Sequence, residues 1–316
     1  MNNLLRLIGR RLVALPIMVV GVSFLVFFIM SLSPIDPAYS ALGETATPEA
    51  LEEYRVQHGL NDSFFVQYGR YLWNMLHGDL GTYGVGTSNH VSDLVAQALP
   101  VTLQLTFLGL LFAVLLSFPL GVLAALYRDR WPDQVIRVFS VIGIGTPSFW
   151  LAALMVLGFV GTLPVSGPLP ALTEDPSGWF LRMLLPSIAL AVPVVGQMTR
   201  VVRTSMVEEL DRDYVRTAIG GGIPKRIVVA RNVLRNALIT PVTVLGLRIG
   251  YLMGGAVVIE IIFSIDGMGK VLLKGIQENW VTLVQGGALV VAIAFIVVNI
   301  VVDMLYLLIN PRIRSV

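Results

Sequence analysis

Apolar residues dominate this chain in runs that are too long for a soluble fold. Six stretches hold about 20 or more residues with few charges, which is the length that an α-helix needs to cross the hydrocarbon core of a bilayer. They cover residues 12–32, 99–127, 135–163, 184–202, 238–263 and 283–309. The first run exceeds the hydrophobic part of a cleaved signal peptide, so we expect it to remain as a span. The pattern predicts an all-α integral membrane protein with about six transmembrane helices.

Composition supports this class. Of the 316 residues, 55% are hydrophobic and 13% are charged, against roughly 25% charged residues in soluble domains. The chain has no cysteine, which excludes disulfides and thiolate metal sites. A membrane protein of this composition has lipid around it, and we expect no nucleic-acid partner.

Basic residues are distributed unevenly between the two sides that the spans define. Sixteen of the 22 lysines and arginines fall on the side of the N-terminus, five fall on the other side, and Arg248 lies inside the fifth span. Cytoplasmic loops carry the excess of basic residues. Both termini are therefore predicted in the cytoplasm, with residues 33–98 as the largest extracytoplasmic segment.

That segment has a helical pattern of its own. Thr47, Pro48 and Glu49 form a helix start, with a capping hydroxyl, a proline in the first turn and an early acid. A second stretch places aromatic residues on one helical stripe and ends at Gly78. Two interpretations stay open: a cap that receives a partner, or a lid that packs on its own spans.

The cytoplasmic stretch between the fourth and fifth spans is predicted to hold a short separate helix at residues 211–222. Three consecutive glycines, ending at Gly222, terminate it, since glycine tolerates a left-handed helix cap. Pro224 then starts a helix, and the residues expected on its apolar face are Ile223, Ile227, Ala230, Leu234, Ala237 and Leu238. A short exposed helix between two spans fits the groove of a partner.

The chain lacks an enzyme's constellation of residues. His58, His77 and His90 have no metal-ligand spacing. Gly269 and Lys270 lack the flanking residues of a phosphate-binding loop. We therefore expect no cofactor or metal in this chain, and any ATP-hydrolysing partner would have to be a separate protein.

Three ionisable residues lie inside predicted spans: Arg248, Glu260 and Asp303. Buried charges are costly in a bilayer, so each is a candidate for the translocation path or for a buried charge pair. Arg248 and Glu260 are separated by about 18 Å along one helix and cannot pair. Asp303 is the first candidate partner of Arg248. Glycines spaced four apart on the Arg248 helix predict close helix packing.

Several motifs, in order along nearly the whole chain, resemble the permeases of the dipeptide/oligopeptide/nickel/glutathione branch of ATP-binding-cassette importers. They are Gly78-Asp79-Leu80-Gly81, Pro100-Val101-Thr102-Leu103-Gln104-Leu105, Thr146-Pro147-Ser148-Phe149-Trp150, Leu163-Pro164-Val165-Ser166-Gly167, Val257-Val258-Ile259-Glu260 with Phe263-Ser264, and Val302-Asp303-Met304-Leu305-Tyr306 with Pro311-Arg312-Ile313-Arg314. The chain departs from the usual pattern at Ile219-Gly220-Gly221, at Arg248, where Gln is common, and at Asp266, where Pro is common.

The resemblance implies a type I importer permease fold in a bacterial inner membrane. Residues 1–98 would form the first span and the extracytoplasmic helices, and residues 99–316 the five-helix transporter domain. The implied partners are a sister permease, two ATP-binding-cassette ATPases and an extracytoplasmic substrate-binding protein. The family's coupling motif falls near residues 211–222, and the residues assigned to ATPase coupling are Asp213, Tyr214, Arg216, Thr217, Ala218 and Gly222.

An ion-coupled secondary transporter or channel is the alternative interpretation. It would need carboxylates or histidines at mid-membrane, or broken helices around an ion site. Pro186, Pro193 and Pro241 could break helices, but Arg248 is a poor cation ligand. The sequence leaves the solute open among dipeptides, longer peptides, glutathione, haem and metal chelates.

Overall fold

The computed structural model describes residues 2–43, 45–85 and 89–309 and is almost wholly helical there. Its elements are α1 Asn2–Ser31, α2 Pro37–Leu42, α3 Pro48–His58, α4 Phe64–Leu76, β1 Thr82–Tyr83, β2 Asn89–His90, α5 Val91–Leu126, α6 Trp131–Gly145, α7 Ser148–Phe159, α8 Pro176–Leu210, α9 Asp213–Gly220, α10 Lys225–Val228, a π-helical turn Val229–Val233, α11 Leu234–Ala237, α12 Ile239–Ile262, α13 Met268–Gln277 and α14 Val281–Ile309. The two short strands pair antiparallel.

The described residues contain five helices that are long and apolar enough to cross a membrane, in α1, α5, α8, α12 and α14. The pair α6 and α7 passes the same test together but is bent by 99°. The prediction of an all-α protein with about six spans is confirmed. The third span, however, is not the single helix that was expected over residues 135–163.

The break between α6 and α7 lies at Thr146 and Pro147. A residue before proline is pushed out of the α region, and Thr146 has φ −91° and ψ 113°. Proline also lacks the N–H that would continue the helical hydrogen bonds. The Thr146-Pro147 pair is thus the physical cause of the bend between α6 and α7.

The chain folds as two compact units. One comprises residues 1–103 and 264–300, and the other comprises residues 104–263 and 301–316.

In the first unit, the aromatic stripe of α4 packs against α1. The rings of Phe24 and Tyr68 are 5.3 Å apart, and those of Phe27 and Tyr71 are 5.4 Å apart. The Tyr68 hydroxyl also donates a hydrogen bond to the carbonyl of Val20 at 3.0 Å. Of the two interpretations of this segment, the structure shows a helix packed on its own first span.

The sequence did not predict α13, a ten-residue helix in the same unit. Its buried residues Met268 and Val271 pack with Val91 and Val95 at the start of α5. The Thr102 hydroxyl accepts a hydrogen bond from the backbone N–H of Met268 at 2.9 Å. The Thr102 motif therefore anchors α13 to the long helix α5.

In the second unit, α8 is the most enclosed helix, and α6 lies directly against it. A side chain added at Gly196 would meet the carbonyl oxygen of Ser140 at 2.5 Å, and one added at Gly143 would meet that of Val192 at 3.2 Å. Close backbone approach of this kind is typical of membrane helix pairs. Glycine at these two positions allows the backbones of α6 and α8 to approach closely.

The helix after Pro224 begins at Lys225, and its apolar face matches the prediction only in its second half, where Ala237 is buried and Leu234 packs against the core. Ile223 and Ile227 are 46% and 45% exposed, while Val228 and Val233 are buried. The π-helical turn Val229–Val233 explains the difference, because its i→i+5 hydrogen bonds shift the buried face.

Candidate functional site

The short helix α9 lies between the two long helices α8 and α12, where the sequence predicts the coupling segment. Its Val215 is 3% exposed, and Tyr214 and Ala218 pack against a buried cluster of the same chain. That cluster comprises Ala125, Val202, Met206, Val215, Val228, Val233 and Ala237. The apolar face of α9 is therefore occupied by the chain's own core.

Hydrogen bonds of Tyr214 fix α9 to α8 and to α11. The Tyr214 hydroxyl donates to Glu209 Oε1 at 2.8 Å and accepts from Asn236 Nδ2 at 3.5 Å. Burial raises the pKa of the Tyr214 hydroxyl, and the neighbouring Glu209 carboxylate raises it further. Tyr214 thus keeps the proton that it donates, up to a pH above the usual tyrosine pKa of about 10.

The C-terminus of α9 is closed by a Schellman motif at Gly222. The Gly222 N–H bonds the Ile219 carbonyl at 3.0 Å, and the Ile223 N–H bonds the Ala218 carbonyl at 3.2 Å. Gly222 has φ +86°, whereas Gly221 has φ −75° and Gly220 is still helical. Of the three glycines, Gly222 alone needs the left-handed conformation that glycine adopts without strain.

The outward face of α9 is small and polar. The Asp213 side chain is 99% exposed and the Arg216 side chain is 75% exposed, and their charged atoms are 3.8 Å apart. Thr217 and Ile219 are exposed beside them. A partner that docks here meets charge and hydrogen-bonding groups around one isoleucine.

A buried ion pair that the sequence analysis missed lies where α6 meets α8. Asp133 is fully buried and accepts hydrogen bonds from Arg203 Nε at 2.6 Å and Arg203 Nη2 at 2.7 Å. The backbone N–H of Asp129 adds a third bond at 2.9 Å. Arg128, in the same loop, bonds Asp211 at the end of α8 at 2.9 Å. The available signal was an acid in the first turn of a span, which needs a cationic partner.

A second missed residue is Arg182, which is 2% exposed in α8. Its guanidinium donates to the carbonyls of Val165 at 3.1 Å, Gly167 at 3.2 Å and Phe263 at 2.5 Å. The sequence placed Arg182 just outside the fourth span, because the apolar run begins at Leu184. Arg182 instead ties the loop after α7 to the end of α12.

Glu260 is fully buried on α12, one turn before Phe263. In the structure it belongs to the buried interior of this unit. Its proposed place in a buried charge pair or in the translocation path stays a prediction.

Arg248 is half-buried on α12, and its Nε is shielded from solvent with no hydrogen-bond partner among the described residues. A side chain at Gly246 would meet Val302 Cγ1 of α14 at 2.9 Å, so the two helices approach closely here. The side chain of Asp303 lies outside the described residues. The pairing of Arg248 with Asp303 remains a prediction.

The fold and this site together define a class: a multi-pass helical membrane protein whose short, anchored surface helix joins two spans. Two family models match the chain. The N-terminal model of binding-protein-dependent transport system membrane components matches residues 4–106. The model of binding-protein-dependent transport system inner membrane components matches residues 117–315. The chain belongs to this family of inner-membrane transport components; its division at residue 98 stays a prediction.

Relatives with the same role cover almost the whole chain. A putative peptide transport system permease protein of Brucella abortus (strain 2308) is 38% identical over 95% of this chain and 96% of the relative. A probable D,D-dipeptide transport system permease protein of Escherichia coli K12 is 38% identical, covering 97% of each chain. A glutathione transport system permease protein of Salmonella paratyphi A is 36% identical over 98% of this chain and 99% of the relative.

The predicted class is therefore confirmed. The chain is the permease subunit of an ATP-driven importer in the inner membrane, and it is not an enzyme. Family membership implies that a substrate-binding protein and an ATPase work with it.

Proposed function

We propose that this chain forms one half of the translocation path of a peptide importer. Its implied partners are a sister permease, two ATPase subunits that bind the ATP and Mg²⁺, and an extracytoplasmic substrate-binding protein. The relatives named for peptides, D,D-dipeptides and glutathione support a solute with peptide bonds.

Within this function, α9 is the helix that docks on the ATPase. This assignment rests on the difference between its buried inner face and its exposed outer face. The inner face is fixed to the chain by Val215 and Tyr214, while Asp213 and Arg216 stand outside it. A helix held in this way moves with α8 when a partner pushes it. The hydrogen-bonded cap at Gly222 limits independent movement of α9 relative to the following loop.

The experiment tests the outer face without disturbing the inner one. The four subunit types are co-expressed, the ATPase is captured through a tag on this chain, and peptide uptake is measured in reconstituted vesicles. Arg216→Glu should reduce both capture and ATP-driven uptake, because it reverses a charge that is 75% exposed at the docking surface.

Arg226→Glu is the matched control, since Arg226 is an exposed arginine that follows α9 and lies off its outer face. It should leave capture and uptake near the wild-type level. Equal loss in both variants would show a general charge effect, and normal capture with Arg216→Glu would place the docking surface elsewhere.

A further inference from the structure

A cleft of about 570 Å³ opens beside the second half of α8. Its α8 wall is a stripe of polar side chains on one helical face, in which Ser205 stands beside Thr204 and the other members are three or four residues apart. The stripe comprises Gln197, Arg200, Thr204, Ser205 and Glu208. The remaining walls are Ile144 of α6, Thr240 and Val244 of α12, and Val201.

The polar side chains of the stripe have no bonding partner in the part of the chain that the structure describes. Across the ranges that the structure describes, none of its five side chains takes part in a hydrogen bond or an ion pair. Arg203 on the next face of the same helix is, by contrast, fully engaged by Asp133. The polar groups of the stripe are therefore free to bind something other than this chain.

Lipid is a poor neighbour for this face. A charged side chain that faces hydrocarbon is costly unless water or a polar partner reaches it. Arg200 lies at the cytoplasmic end of the predicted span 184–202, Glu208 lies on the continuation of α8 beyond it, and both are exposed. Water and a polar solute can satisfy them, whereas hydrocarbon cannot.

The positive charge of the stripe, on Arg200, precedes its negative charge, on Glu208, along α8. Arg200 and Glu208 are eight residues apart, which corresponds to a rise of about 12 Å. An extended peptide advances about 3.3–3.6 Å per residue, so about three to four residues span this distance. Arginine presents a planar fork that matches a carboxylate, and a glutamate attracts an ammonium group.

We propose that this face of α8 is a solute-binding wall of the translocation path, specific for short peptides with free termini. Arg200 binds the terminal carboxylate, Glu208 attracts the terminal ammonium group, and Gln197, Thr204 and Ser205 replace water on the peptide groups between them. This inference rests on the proposed function, because it requires that a peptide passes through the chain.

The first test measures uptake of labelled tri-alanine by the complete complex in vesicles, driven by ATP and supplied by the loaded binding protein. Arg200→Gln should lower the maximal uptake rate about tenfold, the loss of one charge-assisted bidentate contact, with an unchanged KM for the loaded binding protein. Arg200→Lys should retain an intermediate rate, because it keeps the charge and loses the fork. The control Arg226→Gln, outside the cleft, should transport as the wild type does.

The second test asks whether the cleft is wet and occupied. Because this chain has no cysteine, Thr204→Cys introduces a single thiol into it. A membrane-impermeant thiol reagent should modify this thiol during ATP turnover, and transported tri-alanine should slow the modification severalfold. The protection should disappear when Arg200→Gln is added.

Two results would overturn the inference alone: wild-type uptake of tri-alanine by Arg200→Gln, or a thiol at position 204 that stays unmodified while the complex transports. A wild-type complex that assembles, hydrolyses ATP and does not take up any peptide would instead overturn the proposed function, and this inference with it.

Discussion

The buried pair between Asp133 and Arg203 should hold α6 on α8, and removing either partner should destabilise the assembled protein. Asp133 is completely buried and its two oxygens receive both Arg203 contacts at 2.6 and 2.7 Å. Breaking a buried ion pair by removing one partner costs about 3–5 kcal/mol, because the other charge stays desolvated. The Arg203 side chain is 18% exposed, so water can reach part of it after Asp133→Ala. We therefore expect the lower end of the range, about 3 kcal/mol.

That cost can be measured as a melting temperature of the purified complex in detergent. For a chain of this size a loss of 1 kcal/mol corresponds to roughly 2 °C, so Asp133→Ala should lower the melting temperature by roughly 6 °C. Arg137→Gln is the matched control, because Arg137 contacts the same carboxylate at 3.4 Å but its side chain is 41% exposed. Its loss should cost below about 1 kcal/mol.

A double-mutant cycle separates the pair from its surroundings. If the ion pair is the cause, Asp133→Ala combined with Arg203→Ala should be less destabilised than the sum of the single variants, with a coupling of about 2 kcal/mol. Strictly additive losses would refute the reasoning, since they would show that each residue acts through other contacts.

Three further predictions concern the coupling helix, the topology and the buried arginine. Gly222→Val should strain the left-handed cap by about 1 kcal/mol or more and uncouple ATP hydrolysis from uptake. Gly221→Lys should be tolerated, so equal uptake in the two variants would contradict the predicted role of Gly222. Single cysteines at Glu53 and at Arg216 should react with impermeant reagents from outside and from inside respectively, and the reverse pattern would invert the predicted topology. Arg248→Gln should lower the melting temperature of the complex if the arginine pairs with a buried acid; normal melting with weaker uptake of anionic solutes would assign it to the path instead.

The spans and the short helix α9 were predictable because both are local signals. A run of about 20 apolar residues needs no tertiary information to be recognised as a membrane helix. The cap at Gly222 is similarly local, since glycine at the end of a polar helix favours the left-handed conformation. The left-handed cap was predicted at Gly222, and of the three glycines Gly222 alone has a positive φ, of +86°.

The ion pairs were not predictable because their partners are distant in sequence. Asp133 and Arg203 are separated by 70 residues, and Arg182 reaches Phe263 across 81 residues. Such pairs depend on which helix faces meet, and hydropathy contains no information on that. The π-helical turn was missed for a related reason: a single extra residue per turn moves Val228 and Val233 into the core and leaves Ile227 outside.

Two sets of contacts connect α9 to α6 through the long helix α8. Within the second unit, α9 is fixed to α8 by apolar packing at Val215 and by the Tyr214 hydrogen bond, and α8 is fixed to α6 by the Asp133 pair and by close backbone contact at Gly196. A displacement of α9 would be passed to α8 and α6 as one body. Along this route, α8 contains Pro186 and Pro193 inside the helix, and α6 ends at the proline break before α7. If α9 docks on the ATPase as proposed, a displacement of α9 should change the helix angle at these prolines, because a regular helix interior resists bending more than a proline position does.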